Sequence, residues 1–218
     1  MIRIRKSADI PQSLQVVNCS KYDGQDVQDA LYEDQDGKCY LCEQKTHKDF
    51  QIEHLKAKAE GYHPELRCTW SNLFLSCPYC NGRKPNDFDE LLDPTKNNIE
   101  DIIQQYIIFD KNKVELTKTQ DSESIRQTIN LLDILFNGKS GIRDKRGQIL
   151  YDDIQREVIF FMELLNQYRS ANSQTNRQAI IDSLEIHKEF LGLKYWIIKN
   201  DSAFYSEFKD YLCWNRSR

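Results

Sequence analysis

The chain lacks any apolar run near the ~18 residues that a membrane-spanning helix needs; its apolar runs are short, such as Val158–Met162. The N-terminal stretch MIRIRKSADIPQ is basic but has no apolar core behind it. That argues against a secretory signal and leaves the cytoplasm as the default address. Internal repeats and low-complexity tracts are missing as well. So is a basic excess: 30 Lys and Arg face 34 Asp and Glu, a formal charge of −4, and the whole deficit falls in the first hundred residues. A protein that grips phosphates over a long footprint normally carries surplus positive charge. Here the basic groups must be clustered locally, or a partner must supply part of the grip. Finally, seven cysteines is an odd number, which disfavours a closed disulfide framework.

What is present is enough for a real core. Of 218 residues, 39% are hydrophobic and 11% aromatic, far from a disordered composition. The length suits one compact core with a sizeable extension, or two small domains sharing an interface. Residues 1–36 read as an N-terminal arm and a helix near Asp26–Tyr32, set in an acidic run whose simplest reading is a solvated face. Residues 37–95 hold nearly all the special chemistry. FQIEHL has strand character, and CPYCNGRKPNDFDELLDP reads as a turn leading into a short helix.

Residues 96–218 open with a hairpin, Tyr106–Phe109 and Val114–Leu116 around a polar turn, and continue as helices. Ile125, Ile129, Leu132, Leu135 and Phe136 fall on one helical face, with Asn137-Gly138 as the stop. Further helices are expected over Ile149–Tyr168, 177–198 and 202–212.

Cys39, Cys42, Cys77 and Cys80 form two C-x2-C pairs separated by 34 residues. Each pair brings two thiolates to one side of a tetrahedral Zn²⁺, so together they close a four-thiolate structural site. A CxxC redox protein is the competing reading of such pairs. The separation exceeds that of a simple finger, so something folded must lie between the knuckles. Cys19, Cys68 and Cys213 show no such pairing and read as buried or incidental.

Between the knuckles stands Glu53-His54, then Asn72, with Asn81 directly after the last cysteine of the cluster. These residue types suit phosphodiester hydrolysis, which needs an activated water, a cation on the phosphate and stabilisation of the leaving oxygen. A neutral imidazole takes a proton from water near neutral pH. A carboxylate and an amide oxygen hold a hard cation that keeps most of its waters. Lys45, Lys48, Lys56, Lys58, Arg83 and Lys84 place positive charge around them, and Lys84 is a natural phosphate contact. His47 and His63 read as loop residues and His187 as structural on a helix face.

The order EH…N…CxxCN over residues 37–90 resembles the HNH signature of the ββα-metal nucleases. The resemblance implies an α+β fold: a ββα-metal core with its four-Cys zinc site, then a mainly helical C-terminal region. It implies His54 as general base and Glu53 and Asn81 as ligands of a catalytic Mg²⁺ or Mn²⁺. Asn72 would hold His54 in orientation. Lys56, Arg83 and Lys84 would bind substrate, and the zinc would be structural. Glu stands where many members have Asp, and Asn81 where many have His, which favours a hard cation.

The wider pattern, GKCYLCE, IEHLKAK, WSNLFLSCPYCNGRK and LLDP, is similar to the PtuB-type nucleases of Septu and retron-associated anti-phage defence systems. That similarity implies an ABC- or SMC-like ATPase partner of the PtuA type, with or without a retron reverse transcriptase and its msDNA. Ala57 stands where that segment usually has proline. DNA and RNA, transfer RNA included, both stay open as targets. A non-catalytic zinc module that binds nucleic acid or protein is the alternative function.

Overall fold

In the computed structural model, which describes residues 1–46 and 49–214, strand β1 (Gln51–His54) pairs antiparallel with β2 (Leu73–Ser76). The register sets Glu53 opposite Phe74 and His54 opposite Leu73. β2 is buried along its whole length, as LFLS requires of a strand covered on both faces. A one-turn helix follows at once. It is α2 (Pro78–Asn81), counting α1 as the earlier helix Gln25–Asp34. Pro78 at its first turn sacrifices no hydrogen bond, and the Cys77 sulfur accepts the Cys80 N–H at its N-terminus.

The short helix expected beyond the second knuckle is thus a single turn, and 85–98 contains no α-helix. Pro85 explains it: proline has no N–H for the next helical bond and pushes the residue before it out of helical geometry.

α1 packs on β2 from one side. Val27 and Leu31, both fully buried, meet Leu73, Leu75 and Trp70 there. Lys6 of the N-terminal arm laces into the same region, donating to the carbonyls of Trp70 and Leu73.

The second half begins with α3 (Ile99–Ile102) and the hairpin β3 (Ile103–Ile108) and β4 (Lys113–Lys118), turned at Asn112 in left-handed conformation. The turn lies where the polar sequence places it; the strands are longer than the apolar runs alone suggest. Helix α4 (Glu123–Asn137) is capped by Ser122 and ends at Gly138, whose φ is 82°. Helix α5 (Lys145–Ser170) is capped by Asp144. Such caps satisfy the open N–H groups of the first turn.

The helix expected over 177–198 is two helices, α6 (Gln174–Ser183) and α7 (Leu191–Lys199). The run breaks over 184–190, and Phe190, whose φ of 53° is unfavourable within a helix, is the residue from which α7 starts. His187 therefore lies in the connector and not on a helix face. α8 (Ser202–Phe208) closes the order. One core cluster runs through Met1, Tyr40, Phe74, Ile103, Leu135 and Tyr151, so the knuckles, hairpin and helices share apolar packing. Among the described residues no helix is long and apolar enough to cross a membrane.

One expectation about cysteine fails. Cys19 and Cys68 are joined in a disulfide, Cα to Cα 6.1 Å, across 49 residues of sequence. Neither residue sits in a recognisable spacing, because the pairing is made by the arm folding back on the loop before β2. Cys213 is free and exposed.

Candidate active site and metal centre

Gly37, with φ of 64°, turns the chain into the first knuckle, and a Cβ there would strike the Tyr32 ring. The sulfurs of Cys39, Cys42, Cys77 and Cys80 then all fall within 4.8 Å of one another, and all four residues are buried. Cys42 and Cys77 sulfurs stand 3.9 Å apart. Four thiolates about 2.3 Å from one ion have edges of about 3.8 Å. The donor set and its spacing fit a tetrahedral zinc.

Successive side chains leave a strand on opposite faces, and β1 uses both. Glu53 turns toward the knuckles. Its Oε2 accepts the Tyr40 hydroxyl at 2.5 Å, and its Oε1 accepts the Lys84 ammonium at 3.0 Å. Lys84 is almost wholly buried, side chain 2% exposed, and also donates to the His54 carbonyl at 2.9 Å. Burial pushes the Glu53 carboxyl above its ordinary range, while Lys84 and Tyr40 pull it back. Burial and the neighbouring carboxylate push the Tyr40 phenol well up, so it remains the donor.

Gln51, two residues before Glu53, shares its face of the strand. Its Oε1 accepts from Asn81 Nδ2 at 2.5 Å. That bond uses one of the two N–H donors of the amide and leaves its oxygen available to a cation. A carboxylate offers about four lone-pair sites, of which Tyr40 and Lys84 use two. Glu53 and Asn81 therefore retain oxygen donors for a divalent ion.

His54 turns the other way, toward the N-terminal arm. Its Nε2 lies 2.9 Å from the Arg67 carbonyl, which only accepts. The proton of the neutral ring is thereby assigned to Nε2, and the lone pair to Nδ1. Tyr22 meets the ring edge-on at 4.6 Å. Burial, above all, lowers the imidazole to about 4; the Arg67 carbonyl opposes this, and the Lys58 and Lys84 charges assist it. The Nδ1 lone pair faces the Lys58 ammonium at 3.4 Å, and a ring that is neutral at physiological pH can act as a base through that nitrogen once the lysine gives it up.

Asn72 sits at the far end of the loop that follows His54. Its Oδ1 accepts the Lys56 N–H at 2.8 Å and its Nδ2 donates to the Lys56 carbonyl at 3.0 Å. It fixes the backbone two residues past His54 and does not touch the ring. Asp89 clamps the same loop: one oxygen accepts the Ala57 N–H at 2.8 Å, the other lies 2.7 Å from His63 Nε2. A proline at 57 would have no N–H to give, so Ala57 and Asp89 form one device.

The basic residues divide. Lys84 is inside, bound to Glu53; Arg83 pairs with Asp144 across the surface; Lys56 is half-buried. Lys48 and His47 lie outside the described residues. Tyr40, Gln51, Tyr22 and Asp89 escaped the sequence reading. Only Tyr40, lying inside a CxxC, carried a local signal.

Two cysteine knuckles, an antiparallel pair and a short helix, with a neutral histidine at a strand end, define a four-cysteine ββα module. Residues 39–87 match the family of HNH endonucleases. The chain thus carries an HNH domain, followed by a helical C-terminal region, and that domain supports a nuclease-type function. No curated protein matches the chain.

Proposed function

We propose that the protein is a metal-dependent HNH endonuclease that hydrolyses phosphodiester bonds in nucleic acid, with a structural zinc at Cys39, Cys42, Cys77 and Cys80. The observation that carries this reading is the hydrogen bonding of His54: its Nε2–H is committed to the Arg67 carbonyl, which puts the lone pair on Nδ1, where the only side-chain hydrogen-bond contact among the described residues is the Lys58 ammonium at 3.4 Å. His54 Nδ1 takes the proton of the attacking water. Glu53 and Asn81 hold Mg²⁺ or Mn²⁺, which polarises the phosphate when bound. Asn72 keeps the loop after His54 in place, and Lys56 and Arg83 meet the substrate backbone.

The motif pattern IEHLKAK, WSNLFLSCPYCNGRK and LLDP further supports a role as the nuclease effector of a bacterial anti-phage complex with a PtuA-type ATPase, with or without a retron. The −4 charge fits a chain that borrows part of its grip from a partner.

One observation favours the second reading, a non-catalytic zinc module: both Glu53 oxygens already have protein partners. The deciding experiment incubates the zinc-loaded chain, alone and co-purified with the products of neighbouring genes, with DNA and RNA in Mg²⁺ or Mn²⁺, and sequences the ends. Metal-dependent cuts lost in His54→Ala support the nuclease. Binding with no cuts in either preparation supports the module. An ATPase that fails to co-purify rules out the complex but not the nuclease. Transfer RNA ends among the products would make it an RNase.

A further inference from the structure

Lys58 stands where His54 would do its work. Its ammonium lies 3.4 Å from His54 Nδ1, the nitrogen that carries the lone pair. It also donates to the Tyr22 hydroxyl at 2.5 Å and sits 3.8 Å from the centre of the Tyr22 ring. Tyr22 in turn meets the His54 ring edge-on. The three side chains form one cluster at the C-terminal end of β1.

The charges around this cluster are unequal. Lys84 is neutralised by Glu53, and Arg83 by Asp144. Among the described residues no carboxylate comes within 4.0 Å of the Lys58 ammonium. A half-buried cation held by a phenol and an imidazole lone pair, without a counter-ion, is incompletely paired. A general base must lie about 2.6–3.2 Å from the oxygen it deprotonates. That oxygen attacks phosphorus, so a non-bridging phosphate oxygen must come close to the same spot. The anion missing from Lys58 and the substrate of His54 belong in one volume.

We propose that Lys58 is a further catalytic residue: its ammonium binds a non-bridging oxygen of the scissile phosphate and, in doing so, leaves His54 Nδ1 free for the attacking water. The water gives its proton to Nδ1 as its oxygen bonds to phosphorus. The phosphorus–oxygen bond to the leaving strand breaks, and that oxygen is protonated from solvent. Lys58 keeps its protons throughout and offsets the charge that gathers on the phosphate. Tyr22 is a positioning residue, aiming the ammonium through its hydroxyl and walling the imidazole. This inference rests on the nuclease reading and adds to it the group that meets the reacting phosphate.

The test uses the zinc-loaded full chain and its Lys58→Met, Lys58→Gln and Lys58→Arg variants. Binding to a fixed-length DNA duplex and to an RNA strand is measured without added Mg²⁺ or Mn²⁺, and without chelator, over a range of salt. Loss of one phosphate contact should flatten the slope of log K against log salt by about 0.9 on the duplex or about 0.7 on a single strand, and arginine should restore it. With metal present, kcat should fall about 100-fold in the Met and Gln variants, the scale of removing one charge-stabilising donor. Zinc content should stay unchanged.

An unchanged salt slope in Met and Gln variants that keep wild-type zinc overturns the proposal. So does cleavage as fast as wild type, or faster, which would make Lys58 a block on His54. If Met fails to fold, Gln decides, since it removes the charge and keeps a polar, though shorter, side chain. Wild type that binds and cleaves alongside unaffected variants sinks this inference alone. Wild type that neither binds nor cleaves nucleic acid sinks the nuclease reading with it.

Discussion

The hydroxyl of Tyr40, a residue inside the first cysteine knuckle, donates to the carboxylate of Glu53 at 2.5 Å. The knuckle that carries the four-cysteine cluster and the carboxylate proposed to hold a catalytic cation are thus one hydrogen bond apart. Tyr40 is itself held, stacked on Phe74 with ring centres 5.0 Å apart. The knuckle sets not only the fold but also the direction in which Glu53 faces.

Loss of zinc should therefore unfold the core and not merely loosen it. The purified chain is expected to carry about one zinc, since structural zinc contributes directly to folding free energy. Cys77→Ser, or a strong chelator, should remove the metal and lower Tm by more than about 10 °C, a few kcal/mol in a chain of this size. Elemental analysis with thermal melts checks this. A zinc-free protein with the wild-type melt would contradict it.

His54→Ala should cost cleavage about 100-fold or more, the usual contribution of a general base. Zinc content should be unchanged. Turnover measured at saturating metal and substrate gives the comparison, and a variant that cuts at the wild-type rate would remove His54 from the role of base.

Glu53→Ala should be destabilising as well as inactivating. It strands the Lys84 ammonium, 2% exposed, without its carboxylate, and breaking a buried pair costs about 3–5 kcal/mol. The double variant Glu53→Ala/Lys84→Met should regain most of the stability and none of the cleavage. Asn81→Ala, which leaves that pair intact, should raise the Mn²⁺ concentration needed for activity. Denaturant melts and metal titrations separate the two effects. Equal metal requirements in wild type and Asn81→Ala would put the cation elsewhere.

Acidification should expose His54 in a predictable window. Its folded pKa is about 4 against an ordinary 6.5. Between those values the unfolded chain binds more protons, so stability is full above about 6.5 and falls as pH drops toward 4. The imidazole signal of the zinc-loaded, metal-starved protein should titrate well below 6.5 by NMR. The difference in stability between wild type and His54→Gln should shrink across the same window, which cancels any effect of acid on the thiolates. A midpoint near 6.5 would show the ring to be solvated.

Local features were readable in the sequence and long-range ones were not. Two C-x2-C pairs, a short apolar run before Glu53-His54 and the 3.6-residue periodicity of 125–136 each state their structure within a few positions. The partners of Glu53 are different. Tyr40 is 13 residues away and Lys84 is 31, and no spacing rule joins them. Lys84 illustrates the cost. Sequence shows a lysine near a helix, which suggests a phosphate contact, but not that the strand β1 buries it. The break at 184–190 is hidden for the opposite reason: Leu184, Glu185, Lys188 and Glu189 are good helix formers, yet the chain leaves the helix there and restarts from the left-handed Phe190.

The Cys19–Cys68 bond and the four-thiol cluster make opposite demands on their medium. Cys19 lies three residues before Tyr22, and Cys68 directly follows Arg67, so this one bond tethers both walls of the His54 ring. A strong dithiol that protects Cys39, Cys42, Cys77 and Cys80 from oxidation also opens that tether. Air, or a mild disulfide reagent, closes it and puts the cluster at risk. Two preparations of identical sequence, stored in different buffers, would differ in how the imidazole is anchored even where both keep their zinc.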